Sequence, residues 1–193
     1  VSEVSAEVKS LSPEITVDDN AFLILRMSNQ ARGMIWVSSA ATGGENGLRI
    51  RVFGSKGAID WFQDDPNILK FTEINQPLKI ITRGSDSVSD FSYQSSRVAA
   101  GHPEGFFEAF ANIYTQFSYQ IRRRLFPITG ESETNDLVII NDAAMNDVPG
   151  IESAIRGMAF IENVVAASQS ELKWHPFLLT PQSITISNEL KKA

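Results

Sequence analysis

Residues 48–62 read LRIRVFGSKGAIDWF, and their order specifies a β-hairpin. Leu48, Ile50 and Val52 alternate with Arg49, Arg51 and Phe53. That period of two gives a strand one apolar face. Gly54-Ser55-Lys56-Gly57 supplies the turn, with glycines where a positive φ is expected. Residues 58–62 alternate again, with Ile59 and Trp61 on the apolar side. Folding the chain back at Ser55-Lys56 sets Val52 against Ile59 and Ile50 against Trp61 on one face. On the other face Arg51 meets Asp60. A slip of one residue would move Asp60 onto the apolar face, so the register is firm. The Arg51–Asp60 pair reads as a sheet-surface ion pair contributing roughly 0.2–1 kcal/mol.

Working toward the N-terminus, residues 42–47 (TGGENG) form a glycine-rich loop that leads into the hairpin. Before it, residues 33–40 read as a strand and residues 29–33 as a turn. Residues 21–28 (AFLILRMS) are apolar on both faces and belong in the middle of a sheet. Residues 1–11 alternate Val4, Ala6 and Val8 against Glu3, Ser5, Glu7 and Lys9, a strand with one solvated face. After the hairpin, residues 68–74 and 78–83 make two short strands around Asn75-Gln76-Pro77. Connections this short favour antiparallel neighbours.

Residues 84–100 are Ser-rich and weakly patterned, a surface loop. From Pro103 the period changes. Phe106, Phe107, Phe110, Ile113, Tyr114, Phe117, Ile121 and Leu125 recur at three and four, which predicts an amphipathic helix of about five turns. Pro103 and Glu104 suit its first turn, and Arg122-Arg123-Arg124 its last. The arginine triplet reads as a helix end first and as a phosphate site second. Residues 127–148 form a polar connection. A second helix is expected over 150–168, burying Ile151, Ile155, Met158, Ile161, Val164 and Val165, with Ala154, Gly157 and Ala159 allowing close approach. Residues 172–193 form a tail, alternating at 183–187, that either frames an edge strand or frays. Strands followed by helices predict an α+β fold, a large, mostly antiparallel, open-faced sheet with helices on one face. The chain reads as one domain over 1–174 with a tail over 175–193.

The 193 residues carry 23 acidic and 17 basic side chains, a net charge of −6, and no cysteine. No disulfide framework or thiolate metal site follows. His102 and His175 lack zinc-ligand spacing. The acidic balance argues against nucleic acid as a partner. No apolar run approaches the roughly 20 residues of a membrane helix. A cytoplasmic protein with no membrane partner is the expectation. The absence of an initiator Met suggests a piece of a longer chain.

No G-x-S-x-G, H-E-x-x-H, P-loop or strand-to-helix G-x-G-x-x-G occurs. The loop Gly43-Gly44-Glu45-Asn46-Gly47 leads into a strand and offers no helix N-terminus to a pyrophosphate. It reads either as a tight loop or as a source of hydroxyl-binding groups in Glu45 and Asn46. Gly101-His102-Pro103-Glu104-Gly105 puts an imidazole and a carboxylate at the mouth of a helix. His102 is a base or a donor to a sugar hydroxyl, or else it caps the helix. His175 reads as surface. Trp36, Trp61 and Trp174 belong either to the core or to a sugar-stacking surface.

Several separated segments resemble one family. They are Asp19-Asn20-Ala21-Phe22, Ala31-Arg32-Gly33, the run from Glu45 to Trp61, Gly101-His102-Pro103-Glu104-Gly105-Phe106, Glu108-Ala109-Phe110-Ala111-Asn112-Ile113-Tyr114, and Arg156-Gly157-Met158-Ala159-Phe160-Ile161-Glu162. The family is the Gfo/Idh/MocA oxidoreductases, which includes glucose–fructose oxidoreductase and inositol dehydrogenase. The resemblance runs from about Val1 to Trp174. It implies the C-terminal part of an enzyme that moves a hydride between NAD or NADP and a sugar or cyclitol. In such an enzyme an N-terminal Rossmann domain holds the cofactor. The E-K-P lysine and the D-x-G-x-H aspartate and histidine of the family have no counterpart here. The resemblance therefore implies no catalytic and no cofactor-binding residue in this chain. His102 is carried over as facing substrate, with Glu45 and Asn46 as further substrate-binding candidates. A homo-oligomer through the open sheet face is implied as well. The rival expectations are a non-catalytic sugar-binding or assembly module and, more weakly, a hydrolase using His102 and Glu104.

Overall fold

The computed structural model describes residues 1–86, 88–125 and 148–179. The polar connection expected over 127–148, apart from Val148, and the alternation at 183–187 lie outside the described residues. The strands are β1 (Glu3–Lys9), β2 (Asn20–Arg26), β3 (Arg32–Ser38), β4 (Arg49–Phe53), β5 (Gly57–Phe62), β6 (Ile68–Glu73), β7 (Lys79–Thr82) and β8 (His175–Pro176). The helices are α1 (Asp90–Gln94), α2 (Phe106–Leu125) and α3 (Ile151–Ser168). The chain divides into two compact units, one of Val1–Gly44 with Pro149–Ala193 and the other of Glu45–Val148. The antiparallel α+β class stands. Its strands form two four-stranded sheets, ordered β3-β2-β1-β8 and β4-β5-β6-β7.

In the first unit β2 is central, as its two apolar faces require. Val4 lies opposite Leu25 and Ala6 opposite Leu23. Leu23 and Leu25 close a core with Val4, Val164 and Ala167, and Val4 is fully buried. The helix α3 lies along β1. Its buried positions are Ala159, Asn163, Val164 and Ala167. The expected stripe is therefore corrected: Ile151, Met158, Ile161 and Val165 stay exposed, and small residues meet the sheet. Spacing of four puts 159, 163 and 167 on one face. Their lack of bulk lets the helix approach until Ser168 Oγ accepts the Val8 N–H at 2.8 Å.

The chain after Trp174 supplies the edge strand. His175 pairs with Val4 and Pro176 with Glu3. Asn163 of α3 holds Leu178, two residues beyond the strand: its Nδ2 donates to the Leu178 carbonyl at 2.7 Å and its Oδ1 accepts the Leu178 N–H at 3.0 Å. His175, read as surface, is half-buried, and among the described residues its enclosed Nδ1 meets no hydrogen-bond partner. None of the tryptophans is fully buried. Trp36 stacks on Phe22 with centroids 6.1 Å apart, Trp61 donates to the Pro66 carbonyl, and Trp174 lies 3.8 Å from the Arg26 guanidinium.

In the second unit the hairpin register is as read: Val52 opposite Ile59, Ile50 opposite Trp61 and Arg51 opposite Asp60. The ion pair is corrected. Asp60 takes both donors of Arg49, Nε at 2.9 Å and Nη2 at 2.5 Å, along the diagonal. A long planar fork reaches a diagonal neighbour and engages both carboxylate oxygens there. Arg51 lies 5.9 Å from the Phe53 ring instead. The turn is also corrected, since neither Gly54 nor Gly57 has a positive φ. Gly57 is required by space: a Cβ there would strike the Thr72 carbonyl on β6. Within the loop expected at 84–100, the short helix α1 forms, with Ser89 Oγ accepting the Ser92 N–H.

Candidate functional site

The loop that carries His102 is built from the ends of two paired strands. Ile68 of β6 lies opposite Thr82 of β7. The next residues outward, Asn67 and Arg83, therefore sit side by side, and the Arg83 N–H donates to the Asn67 carbonyl at 3.0 Å. Asn67 grips Glu104 by its backbone: Nδ2 donates to the Glu104 carbonyl and Oδ1 accepts the Glu104 N–H, both at 2.9 Å. Arg83 Nε donates to the same Oδ1 at 3.2 Å.

The Arg83 guanidinium then collects the loop carbonyls. It donates to Val98 and Ala99, each at 3.1 Å, and to the carbonyl of His102. It also pairs with the Glu104 carboxylate at 3.3 Å, and these two side chains are 16% and 9% exposed. Glu104 further accepts the N–H groups of Arg97 and Val98, the latter at 2.5 Å. Arg97 extends the frame to α2, with Nε donating to Asn112 and Nη2 to Thr115, both at 2.7 Å. Asn112 Nδ2 returns to the Ser95 carbonyl at 2.6 Å.

Pro103 and Glu104 are thus not in the first helical turn, and His102 does not cap α2. The helix begins at Phe106. Its cap is Glu108, which accepts the Gly105 N–H at 2.8 Å. That bond, its own backbone N–H and the nearby Arg97 and Arg83 charges hold the Glu108 carboxyl below its ordinary value. The arginine triplet occupies the last turn, as read.

His102 itself is exposed. Its backbone N–H donates to the Ala99 carbonyl at 3.2 Å and its carbonyl is held by Arg83. Among the described residues no hydrogen bond engages its imidazole. The preceding Gly101 sits at φ +86°, a conformation that a side chain resists. The result is an uncommitted imidazole on a backbone whose polar groups are satisfied. Such a group donates to or accepts from a neutral hydroxyl without first breaking an internal bond. Three donors converge on Glu104 Oε1, and no contact among the described residues joins its carboxylate to the imidazole of His102, so nothing supports the hydrolase pairing of the two.

Glu45 and Asn46 lie exposed in their loop, Glu45 at φ +46°. No contact among the described residues brings either to His102. Asn67, Arg83, Arg97, Asn112 and Thr115 escaped the sequence reading. Asn67 and Arg83 have only their place at strand ends as a local signal, Asn112 and Thr115 only their spacing of three on one helix, and Arg97 in the loop has none. The polar face of the hairpin holds a cavity of about 250 Å³ lined by Arg51, Asp60, Lys70 and Thr72. The Arg49 bond holds the Asp60 carboxyl below its ordinary value. Among the described residues no group of three or more ligating side chains could hold a metal, and no helix is long and apolar enough to cross a membrane.

Comparison with known proteins bears on the same segments. Residues 1–60 match the model of the GFO/IDH/MocA C-terminal domain. An uncharacterized oxidoreductase, YfiI of Bacillus subtilis (strain 168), is 32% identical over 161 residues, 83% of this chain. An oxidoreductase from Sinorhizobium meliloti is 33% identical, with a TM-score of 0.74 over 89% of this chain. An inositol dehydrogenase homolog from Azotobacter vinelandii, complexed with NADH and myo-inositol, is 25% identical, with a TM-score of 0.75 over 91% of this chain. This chain spans 38% of the Bacillus protein and 45% and 44% of those two structures. The match at residues 1–60 and the likeness of the rest to these oxidoreductases agree, and the chain belongs to the Gfo/Idh/MocA oxidoreductases as a C-terminal domain.

Proposed function

We propose that residues 1–174 are the substrate-binding and dimerising part of an NAD(P)-dependent dehydrogenase acting on a sugar or cyclitol. The observation that carries this is the His102 loop, a free, exposed imidazole on a rigid frame. A relative of the same fold is known with NADH and myo-inositol bound. Polyols are neutral and rich in hydroxyls, and an uncommitted imidazole suits them as donor or acceptor. Glu45 and Asn46 are proposed as further hydroxyl contacts, supported by their exposure in a glycine-rich loop. The nicotinamide supplies hydride chemistry when bound. This sequence has no dinucleotide fingerprint, so a preceding domain is proposed to hold it.

Self-association is proposed through the sheet face turned away from α3. Leu23 and Leu25 face the core, so by alternation Phe22 and Ile24 face outward, with Trp36 and Met34 beside them. All four are between 48% and 78% exposed. An open apolar face of that kind usually marks an interface.

The test is to express this chain together with its upstream coding sequence and follow reduction of NAD+ and NADP+ over a panel of cyclitols, hexoses and anhydrosugars. Turnover with a polyol supports the reading. Nicotinamide binding with no turnover on any polyol, or no nicotinamide binding at all, removes it in favour of a non-catalytic module.

A further inference from the structure

Among the described residues the imidazole of His102 makes no hydrogen bond, so its position is set by the backbone beneath it. That backbone is organised by two charged side chains, neither of them exposed by more than 16%. The Arg83 fork gathers the carbonyls of Val98, Ala99 and His102, while Glu104 gathers the N–H groups of Arg97 and Val98. We infer that Arg83 and Glu104 are positioning residues, whose ion pair fixes where His102 presents its imidazole to a neutral polyol. This rests on the substrate-side role of His102 proposed above.

The chemistry is specific to these two residues. A guanidinium carries five N–H donors in one plane, and Arg83 spends them on Asn67 at the end of β6 and on the loop. A lysine keeps the charge but loses the fork, so it cannot hold three carbonyls and a carboxylate together. A carboxylate oxygen accepts more than one donor, and Glu104 Oε1 takes the N–H groups of Arg97 and Val98 together with the Arg83 guanidinium, which ties the start of the loop to its end. Gly101, at φ +86°, lies between the anchors, and the rest of the loop is short. Loss of one anchor therefore moves the backbone of His102 rather than only its side chain.

The test uses the full 193-residue chain, whose two histidines give two separable imidazole signals in an NMR spectrum. His102→Gln assigns them. Arg83→Lys and Glu104→Gln are then compared with the parent in three readouts: the two imidazole shifts with their titration midpoints, amide exchange over 97–104, and the Kd for myo-inositol as the probe. Arg83→Lys is expected to move the His102 signal and speed loop exchange while His175 is unchanged. It weakens myo-inositol binding about tenfold, and Glu104→Gln does the same in smaller measure. The double variant with His102→Gln is expected to bind no more weakly than His102→Gln alone.

An unchanged His102 signal and unchanged loop exchange in both variants overturn the inference. If Arg83→Lys shifts His175 as well, the fold has been disturbed and Glu104→Gln decides the matter. If the parent's His102 signal ignores myo-inositol while the variants still move it, positioning stands and the cyclitol-facing role of His102 falls.

Discussion

At the scale of single residues, a side chain's chemistry was readable but its partner was not. His102 was singled out by type and place, and among the described residues no hydrogen bond engages its exposed imidazole. In the complete enzyme, His102→Ala should raise KM for the polyol about fivefold, the worth of one neutral hydrogen bond, with a smaller change in kcat. Steady-state kinetics check this, and an unchanged KM removes His102 from the site. Arg49 and Arg51 present the same chemistry two residues apart, and only rotamer geometry gives Asp60 to Arg49. Urea melts of Arg49→Ala should show a small loss of stability, as expected for an exposed pair, with none for Arg51→Ala. Asn163 is a polar residue on the buried face of α3. It is 6% exposed and clamps both backbone groups of Leu178. Asn163→Leu leaves those groups unpaired and should cost about 1–3 kcal/mol in urea unfolding.

At the scale of elements, periodicity found every strand from β1 to β7 and both long helices, because alternation and a repeat near 3.6 are local properties. It erred on which face of α3 is buried. Bulk apolar side chains mark a stripe, but small residues allow the closest approach to a strand, and here closeness prevailed. It also missed what closes the chain reversals. Asp19 accepts the N–H groups of Leu11 and Ser12 at 2.8 and 3.0 Å. Bonds from Ser12 and Leu11 hold its carboxyl below the ordinary 3.8. Asp60 and Glu108 are lowered likewise. A lowered folded-state value means stability that is present above the unfolded value and lost as pH falls through the folded one. The urea midpoint should therefore stay level from neutral pH down to the ordinary carboxyl range and fall below it. Asp19→Asn should lower the midpoint at neutral pH and flatten the fall. A midpoint already declining well above that range would contradict this assignment.

At the scale of the whole molecule, the sheet of the first unit buries one face against α3 and leaves Phe22, Ile24, Met34 and Trp36 open on the other. In the second unit no described side chain is fully buried, and the apolar stripe of α2 remains exposed, from Ile121 at 43% to Phe107 at 83%. So much uncovered apolar surface is costly to leave in water. The chain should sediment as a dimer at micromolar concentration. Ile24→Glu combined with Trp36→Glu should give a monomer with both imidazole signals in place. A parent chain that is already monomeric would count against the sheet-face dimer.

The sequence by itself determined the α+β class, the order of the elements, the hairpin register and the family, because each is written in local alternation or in runs of consecutive residues. It also singled out His102. The tertiary structure decided the rest: the frame of Asn67, Arg83 and Glu104 beneath His102, the partner of Asp60 and the buried face of α3. Each of these depends on residues that are distant along the chain, or on a choice among rotamers, and neither leaves a periodic trace in the sequence. Arg83 and Glu104 are 21 positions apart; pairing of β6 with β7 sets Asn67 beside Arg83, and through Asn67 brings Glu104 to the same strand end.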